Sequence, residues 1–221
     1  MPKVTLLERQ KKNSERVNVY LDGEFAFGLN IMDALQLKKG QELDEQSIAE
    51  LQHKDEIVKA IDVAVNLLSY RPRSKHEIRQ KLRKKEYEEI VIETAIERMV
   101  TRGYLDDHAF ARFWIESRNR SKPRGKRALS YELRNKGVSD AIIRELLEDM
   151  VDETAGAYDA AQKRIRRMRG KTQYVFKQKV GAFLQRRGFN YEAVNQALET
   201  IIEELQETEP DYFAEKEDDW S

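Results

Sequence analysis

The chain has 221 residues, enough for one large or two ordinary domains, and 36% of them are charged, against about a quarter in a typical globular protein. Cysteine is absent, which excludes disulfides, thiolate zinc sites and cysteine nucleophiles and favours a reducing compartment. Because the sequence has neither an apolar signal region at Met1–Thr5 nor an apolar run of membrane-spanning length, we expect a cytoplasmic protein with no membrane partner.

The net charge is zero, but the two signs are segregated along the chain. Residues 160–191 contain no Asp or Glu, whereas residues 203–219 carry nine carboxylates and the single cation Lys216. An even mixture would only keep the protein in solution. Segregation of this degree creates local fields that attract a polyanion.

The first thirty residues favour β-strands. Residues 17–21 and 25–29 are short β-favouring runs joined through Asp22-Gly23, which predicts a hairpin, and residues 4–10 add a third strand. A hairpin alone is marginal in water, so this segment must pack against another element. After it, residues 31–37 predict a short helix and residues 43–70 a long one, with a break near His53 left open.

A repeat of 51 residues organises the rest of the chain. The spacing of Leu82, Leu133 and Leu184 defines it, since 133 minus 82 and 184 minus 133 both equal 51. Other sets keep this register without a gap: Lys75, Lys126 and Lys177; Ile78, Leu129 and Val180; Tyr87, Val138 and Phe189; Ile96, Leu147 and Leu198. Such a repeat predicts a helical array that buries apolar faces between units and presents an extended surface to a large partner.

Helix boundaries are clearest in the first repeat. Arg71-Pro72 ends one helix, because the residue before proline avoids the α region, and Ser74 with Glu77 forms a capping box that opens the next. Three glycines are predicted to end helices with a positive φ: Gly103, Gly137 and Gly188. Helical periodicity assigns two sets to the inside: Ile57, Ile61, Ala64, Val65 and Leu68, then Val91, Ala95, Ile96, Met99 and Val100.

These patterns predict a mainly α fold, a tandem array of three three-helix repeats preceded by a small N-terminal β-hairpin or meander segment. The expected limits are 1–50 for the N-terminal segment, 51–105, 106–151 and 152–205 for the repeats, and 206–221 for an acidic mobile tail. Within that tail, Tyr212, Phe213 and Trp220 could still dock onto the fold.

Catalytic chemistry has little support in the sequence. The three histidines, His53, His76 and His108, lie in different predicted elements, and Asp106-Asp107-His108 sits where a helix N-cap belongs, so we interpret it as a cap instead of a metal cluster. The sequence lacks a phosphate-binding P-loop, a dinucleotide-binding glycine pattern and a nucleophile elbow. We therefore predict no enzymatic activity, no catalytic residue, no metal and no cofactor.

Basic clusters recur near helix starts and loops. One such cluster would suggest a solvated helix face, but three at repeated positions favour contacts with phosphates. No recognition helix stands out, so we expect weak backbone contacts with single- and double-stranded DNA, although a helix-turn-helix factor stays open. The candidate DNA-binding or partner-binding residues are Arg71, Arg73, Lys75, Lys122, Arg124, Lys126, Arg127, Lys163, Arg164, Arg166, Arg167, Arg169, Lys171, Lys177, Lys179, Arg186 and Arg187.

Aromatic side chains could instead stack on bases. Periodicity places most of them inside, so core packing is the favoured interpretation of Tyr70, Tyr87, Tyr104, Phe110, Phe113, Trp114, Tyr131 and Phe183.

Two stretches resemble the signatures of a known family. Residues 67–78, read as Leu-Leu-Ser-Tyr-Arg-Pro-Arg-Ser-Lys-His-Glu-Ile and followed by Lys81-Leu82, resemble the first-repeat signature of the RecX regulators. Residues 102–107, Arg-Gly-Tyr-Leu-Asp-Asp, with Phe110-Ala111-Arg112 after them, resemble its second signature. The similarity covers about residues 57–205, and the β-rich start matches the longer, Gram-positive type of member.

The resemblance implies a cytoplasmic, non-enzymatic modulator of the RecA recombinase, built from tandem three-helix repeats. Members of the family bind RecA filaments on DNA along the filament groove and suppress ATP hydrolysis, strand exchange and co-protease activity. By the same resemblance we expect a monomer that acts in DNA repair, homologous recombination and the SOS response. Two alternatives stay open: a stand-alone DNA-binding or architectural protein, and a protein scaffold whose basic clusters serve acidic partners.

Overall fold

The computed structural model describes residues 1–11 and 13–214. The described residues form three strands, ten α-helices and one 3-10 turn, in two compact units, of which the first ends at Asp106 and the second begins at Asp107. The fold is thus mainly helical with a small N-terminal sheet, as the sequence predicts.

The N-terminal strands β1 (Val4–Arg9), β2 (Arg16–Leu21) and β3 (Glu24–Asn30) form an antiparallel sheet in that order. The β2–β3 turn takes the predicted form, because Asp22 and Gly23 both have a positive φ, at 50° and 92°. The buried face of the sheet, including Val19 and Leu29 at 0% exposure, packs with apolar residues of the segment that follows it, residues 31–51. This packing supplies the support that an isolated hairpin would lack.

The helices α1 (Ile31–Ala34) and α2 (Glu45–Tyr70) follow the sheet. Helix α2 is a single helix of 26 residues with Asp44 as its N-cap, so the break that the sequence left open near His53 does not occur. Its buried Asp55 accepts from Arg16 of β2 at 2.8 Å, and the Lys59 ammonium lies 2.8 Å from the same oxygen. This pairing ties the sheet to the helix that begins the repeats.

The first repeat combines α2 with α3 (Lys75–Arg83) and α4 (Glu89–Thr101). The predicted capping box is present: the Glu77 amide donates to Ser74 Oγ at 3.1 Å, and the Ser74 amide donates to the Glu77 carboxylate at 3.4 Å. The predicted helix ends at Gly103, Gly137 and Gly188 are also confirmed, because their φ values are 74°, 75° and 85°.

The second unit contains six helices among its described residues. They are α5 (Asp107–Ser121), α6 (Lys126–Asn135), α7 (Asp140–Met150), α8 (Glu153–Ile165), α9 (Gln173–Arg186) and α10 (Tyr191–Thr208). Helices α5–α7 enclose one apolar core and α8–α10 another, while α2–α4 enclose the core of the first repeat.

Equivalent positions of the 51-residue repeat are buried to the same degree. Leu82, Leu133 and Leu184 are each 0% exposed. Ile78, Leu129 and Val180 are 0 to 1% exposed, and Ile96, Leu147 and Leu198 are 4 to 6% exposed. The repeat therefore specifies one packing arrangement three times, since each copy directs the same positions into its own core.

The inside assignment is wrong for several residues. Tyr70, Tyr104 and Tyr131 are 78, 59 and 69% exposed, Phe113 is 39% exposed, and the aliphatic Val65 and Val100 are 43 and 37% exposed. Each lies at the margin of its apolar stripe or in a loop, where periodicity alone does not separate a core position from a surface one. Among the other aromatic side chains that periodicity assigned to the inside, Phe110 is buried at 2% exposure.

The C-terminal segment differs from the expected mobile tail in its described part. Helix α10 extends to Thr208, and Pro210–Tyr212 form a 3-10 turn whose Tyr212 is 2% exposed. Tyr212 and Phe213 pack edge-to-face against Phe176, with ring centroids 6.3 and 5.5 Å away. The rest of the expected tail, 215–221 with Trp220, lies outside the described residues.

Candidate nucleic-acid interface

The first basic cluster is tied into the turn between α2 and α3. The Arg71 guanidinium donates to both carboxylate oxygens of Glu77, at 3.2 and 3.0 Å, and this hydrogen bonding raises the pKa of Arg71. Arg73 Nε donates to the Leu67 carbonyl at 3.1 Å, and Lys75, partly buried, opens α3. Arg71 and Arg73 therefore stabilise the helix junction, and Glu77 neutralises the charge of Arg71.

The second cluster is also largely paired. Arg124 forms an ion pair with Glu132, and Lys126 Nζ donates to Glu148 at 2.9 Å. Arg127 donates to the Gln185 carbonyl at 3.2 Å, while Lys122 lies exposed in the α5–α6 loop.

Three further predicted cations, two of them from residues 163–171 and the third Arg187, are engaged within the second unit. Lys163 Nζ donates to the Ser121 carbonyl at 3.0 Å, and the Arg187 guanidinium donates to the Pro123 carbonyl at 3.1 Å. Arg169 forms an ion pair with Glu209. Lys163 and Arg187 thus hold the α5–α6 loop of the second repeat against the third.

Seven predicted cations between residues 163 and 187 have neither a carboxylate nor a backbone carbonyl partner among the described residues. They lie on the end of α8, the α8–α9 loop and α9, and we call them the third-repeat cationic surface: Arg164, Arg166, Arg167, Lys171, Lys177, Lys179 and Arg186. Since residues 160–191 contain no acid, no carboxylate next to these side chains in sequence neutralises them. A phosphate-bearing chain could neutralise several of them at once and release its counterions.

Phe183 fixes two guanidinium groups at the edge of this surface. Arg164 and Arg187 lie over its ring at 4.4 and 4.6 Å from the centroid. Burial lowers the pKa of Arg187, and the positive charges of Arg124 and Arg164 lower it further. Positive charge is therefore in local excess here, a condition that favours an anion.

The backbone of the α8–α9 loop is anchored by the C-terminal segment. Tyr212 donates its hydroxyl to the Ile165 carbonyl and accepts at its own carbonyl from the Gly170 amide at 2.9 Å. The Ala214 amide donates to the Lys171 carbonyl at 3.2 Å. The loop that carries Arg166 and Arg167 thus has fixed ends, which limits the ordering cost of binding a ligand.

Two exposed tyrosines near this surface are not among the residues that the sequence predicted for the site. Tyr174 and Tyr191 are 69 and 72% exposed, at the starts of α9 and α10. Helical periodicity did contain the signal for Tyr174, since it lies off the stripe of Phe176, Val180 and Leu184.

Neither a metal site nor a membrane-spanning helix is found in residues 1–11 and 13–214. His108 follows Asp106 and Asp107 in the sequence, the only feature that suggested a metal cluster. Its Nε2 lies 3.3 Å from the Glu145 carboxylate.

Four family models match the chain. The RecX N-terminal domain matches residues 2–44, and the first, second and third RecX three-helix domains match residues 60–99, 106–147 and 152–198. The regulatory protein RecX of Bacillus subtilis is 35% identical over 221 residues, covering 98% of this chain and 82% of the relative. That of Listeria monocytogenes is 31% identical over 207 residues, covering 92% of this chain and 77% of the relative.

Solved structures agree with these sequence matches. A crystal structure of a regulatory protein RecX has a TM-score of 0.75 and 29% identity, and covers 92% of this chain and 100% of its own. That of RecX from Lactobacillus salivarius has a TM-score of 0.60 and 25% identity, with coverages of 69 and 98%. Since the models match the N-terminal sheet segment and all three repeats, the chain belongs to the RecX family of regulatory proteins.

Proposed function

We propose that this protein is a non-enzymatic regulator that binds RecA filaments on DNA and inhibits recombinase, ATPase and co-protease activities. It acts as a cytoplasmic monomer, without a cofactor, in DNA repair, recombination and the SOS response. Its partners are the RecA filament and, through weak backbone contacts, single- and double-stranded DNA. The repeats that carry these contacts have the limits 51–105, 106–151 and 152–205.

The third-repeat cationic surface is the observation that supports this proposal most strongly. Membership of a family of regulatory proteins supports it as well. A filament on DNA offers phosphates and acidic protein groups along its length, and seven cations without carboxylate partners among the described residues complement both. The paired cations Arg71, Arg124 and Lys126 contribute less, because a ligand must first displace Glu77, Glu132 or Glu148.

The junction of the second and third repeats supports the same function. Glu153 accepts from the Lys126 amide at 3.1 Å and from the Asn190 side chain at 2.6 Å, so one carboxylate bridges the starts of α6 and α10. A junction held in this way keeps contacts on the two repeats at a fixed spacing. A filament presents binding groups at regular intervals, so a protein with fixed spacing between its repeats fits it well. Once one repeat has bound, the next repeat can bind without the cost of ordering the junction between them.

Binding to preassembled filaments tests the proposal. The labelled protein is titrated with RecA on single-stranded DNA, with RecA alone and with DNA alone, and its anisotropy is followed. We expect the tightest binding to the filament, and we expect Arg166→Ala/Arg167→Ala/Lys171→Ala to weaken it at least tenfold. Lys81→Ala/Lys84→Ala/Lys85→Ala, which removes three exposed cations at the end of α3, is the matched control.

Two outcomes would count against the regulator. Equal affinity for bare DNA and for the filament would favour the stand-alone DNA-binding protein. Filament binding that the two triple variants weaken alike would show that the third repeat has no special part in it.

A further inference from the structure

Helix α9 separates two grooves of different chemistry. The groove on its α8 side has a volume of about 350 Å³ and is lined by the cations Arg164, Lys179 and Arg186 over an apolar floor of Met168 and Phe183. The groove on its α10 side has about 310 Å³ and is lined by Lys177, Gln185, Tyr191, Asn195 and Glu199. Gln178 and Ala182 line both grooves, so they form the ridge between them.

We propose that α9 is a single-strand binding site, in which the phosphates of an unpaired nucleic-acid strand lie in the α8-side groove and its bases cross Ala182 to contact Tyr191 and the neighbouring amides. This inference rests on the part of the proposed function that concerns DNA contacts. It adds that the contacted DNA is single-stranded and that the contacts are made by residues of α9 and by Tyr191.

The charges set the orientation of the strand. The α8-side groove is lined by three cations and no carboxylate, which suits phosphate. The α10-side groove carries one cation, Lys177, and one carboxylate, Glu199, so its charges balance and it attracts phosphate less than the α8-side groove does. The small side chain of Ala182 keeps the ridge low between the two grooves.

The side chains of the α10-side groove suit bases. Tyr191 is 72% exposed, so one face of its ring is available for stacking. Gln178, Gln185 and Asn195 carry amides that both donate and accept, as the edges of unpaired bases require. Tyr174 orients one of them, because Gln178 Nε2 donates to its hydroxyl at 2.7 Å.

A single strand has chemical groups that match both grooves, whereas an acidic peptide or a duplex matches only one of them. An acidic peptide would be held by the cations but would leave the tyrosine and the amides without a matching partner. A duplex keeps its bases stacked and paired, so they cannot reach Tyr191.

The test compares two variants of the full chain on three probes without RecA. The probes are an oligothymidine strand of about twenty nucleotides, an abasic strand of equal length and a duplex of equal length, each labelled for anisotropy. Tyr191→Ala removes the stacking ring, and Lys179→Ala/Arg186→Ala removes two exposed cations. Arg164 is kept, because it packs on Phe183. The matched controls in the first repeat are Tyr104→Ala, 59% exposed, and Lys84→Ala/Lys85→Ala.

We expect Tyr191→Ala to weaken oligothymidine binding about fivefold or more and to leave the abasic strand and the duplex unchanged. Lys179→Ala/Arg186→Ala should weaken both single strands and reduce the slope of log K against log salt by about 1.4, since each phosphate on a single strand contributes about 0.7. Circular-dichroism melting should give wild-type transitions for both variants, because all three side chains are exposed.

Three results would overturn the proposal: no single-strand binding by the wild type, equal effects of Tyr191→Ala on thymidine and abasic strands, or control variants that match the test variants. Full competition by polyglutamate with no base-dependent difference would assign the cations to an acidic protein instead. Wild-type filament binding, measured alongside, separates the two claims. If the wild type binds filaments but shows no base dependence, only the single-strand proposal is wrong. If it shows base dependence but does not bind filaments, only the proposed filament regulation is wrong.

Discussion

Gly125 and Gly188 lie backbone to backbone at the junction of the second and third repeats. The Gly125 amide donates to the Arg187 carbonyl at 3.1 Å, and a Cβ added to Gly125 would lie 2.2 Å from the Gly188 carbonyl oxygen. On the other side, a Cβ on Gly188 would lie 2.5 Å from that of Ala128. Two loops from different repeats can approach this closely because neither glycine carries a side chain.

Gly125→Ala should therefore destabilise the junction. The added methyl meets backbone on a second loop, which cannot move aside as a flexible side chain can, so we expect a loss of about 3 kcal/mol or more in unfolding free energy. Gly170→Ala is the control: it has a φ of +74° but nothing within 4 Å, so strain alone should cost about 1 kcal/mol. Equal losses in urea unfolding would show that the junction is not tight.

Truncating the repeated leucine tests the equivalence of the three cores. Leu82→Ala, Leu133→Ala and Leu184→Ala each remove a side chain of 0% exposure and should each cost about 2–5 kcal/mol, because the core cannot fully close the cavity. Leu35→Ala, at 72% exposure, should cost little. A wild-type melting temperature for any of the three variants would contradict the assignment of that position to a core.

Asp55 should be the most sensitive carboxylate of the N-terminal unit. Its side chain is 3% exposed and pairs with both Arg16 and Lys59 at 2.8 Å. Asp55→Ala leaves Arg16, 13% exposed, without its partner, so we expect a loss of about 3–5 kcal/mol in unfolding free energy. The exposed pair Lys3–Glu42 gives a control, because Glu42→Ala should cost at most about 1 kcal/mol. Similar losses for the two variants would contradict a structural role for the buried pair.

The ion pair between α3 and α4 should make the first repeat sensitive to acid. Hydrogen bonding to Arg79, at 2.7 Å, holds the pKa of Glu93 below its usual 4.5, so this pair stabilises the fold above that pH and the contribution is lost as pH falls through the lowered pKa. Both side chains are partly exposed, so we expect only about 0.5 kcal/mol.

Melting curves of Glu93→Gln and wild type, recorded at several pH values, show whether the ion pair stabilises the fold at neutral pH and loses its effect in acid. The variant should be slightly less stable at pH 7, and the difference should shrink as the pH falls below 4.5 and vanish below the lowered pKa of Glu93. Glu97→Gln, on the same helix but without an ion pair among the described residues, should show no such difference. A deficit of Glu93→Gln that grows on acidification would contradict the assignment.

The fold was largely predictable from the sequence, because the repeat fixes which positions face inward. Leu82, Leu133 and Leu184 stand at one spacing and are buried alike. Some wrong assignments, such as Tyr104 and Tyr131, concern amphipathic tyrosines, which are stable in either environment. Others, such as Val65 and Val100, lie at the margin of an apolar stripe.

The candidate nucleic-acid interface was predictable only in part. The absence of acids from residues 160–191 indicated the third repeat, but the identity of the free cations depends on distant partners. Lys126 pairs with a glutamate 22 residues away, and Arg169 pairs with one 40 residues away. Such pairs follow from tertiary packing, which local sequence patterns do not contain.

The most direct test of the central claim is the single-stranded-DNA-dependent ATPase of the cognate RecA, titrated with this protein. We expect inhibition well below one protein per RecA, and we expect Arg166→Ala/Arg167→Ala/Lys171→Ala to inhibit less than wild type does. Unchanged hydrolysis at a large excess of this protein, under conditions in which it remains folded, would contradict the claim that it regulates the RecA filament.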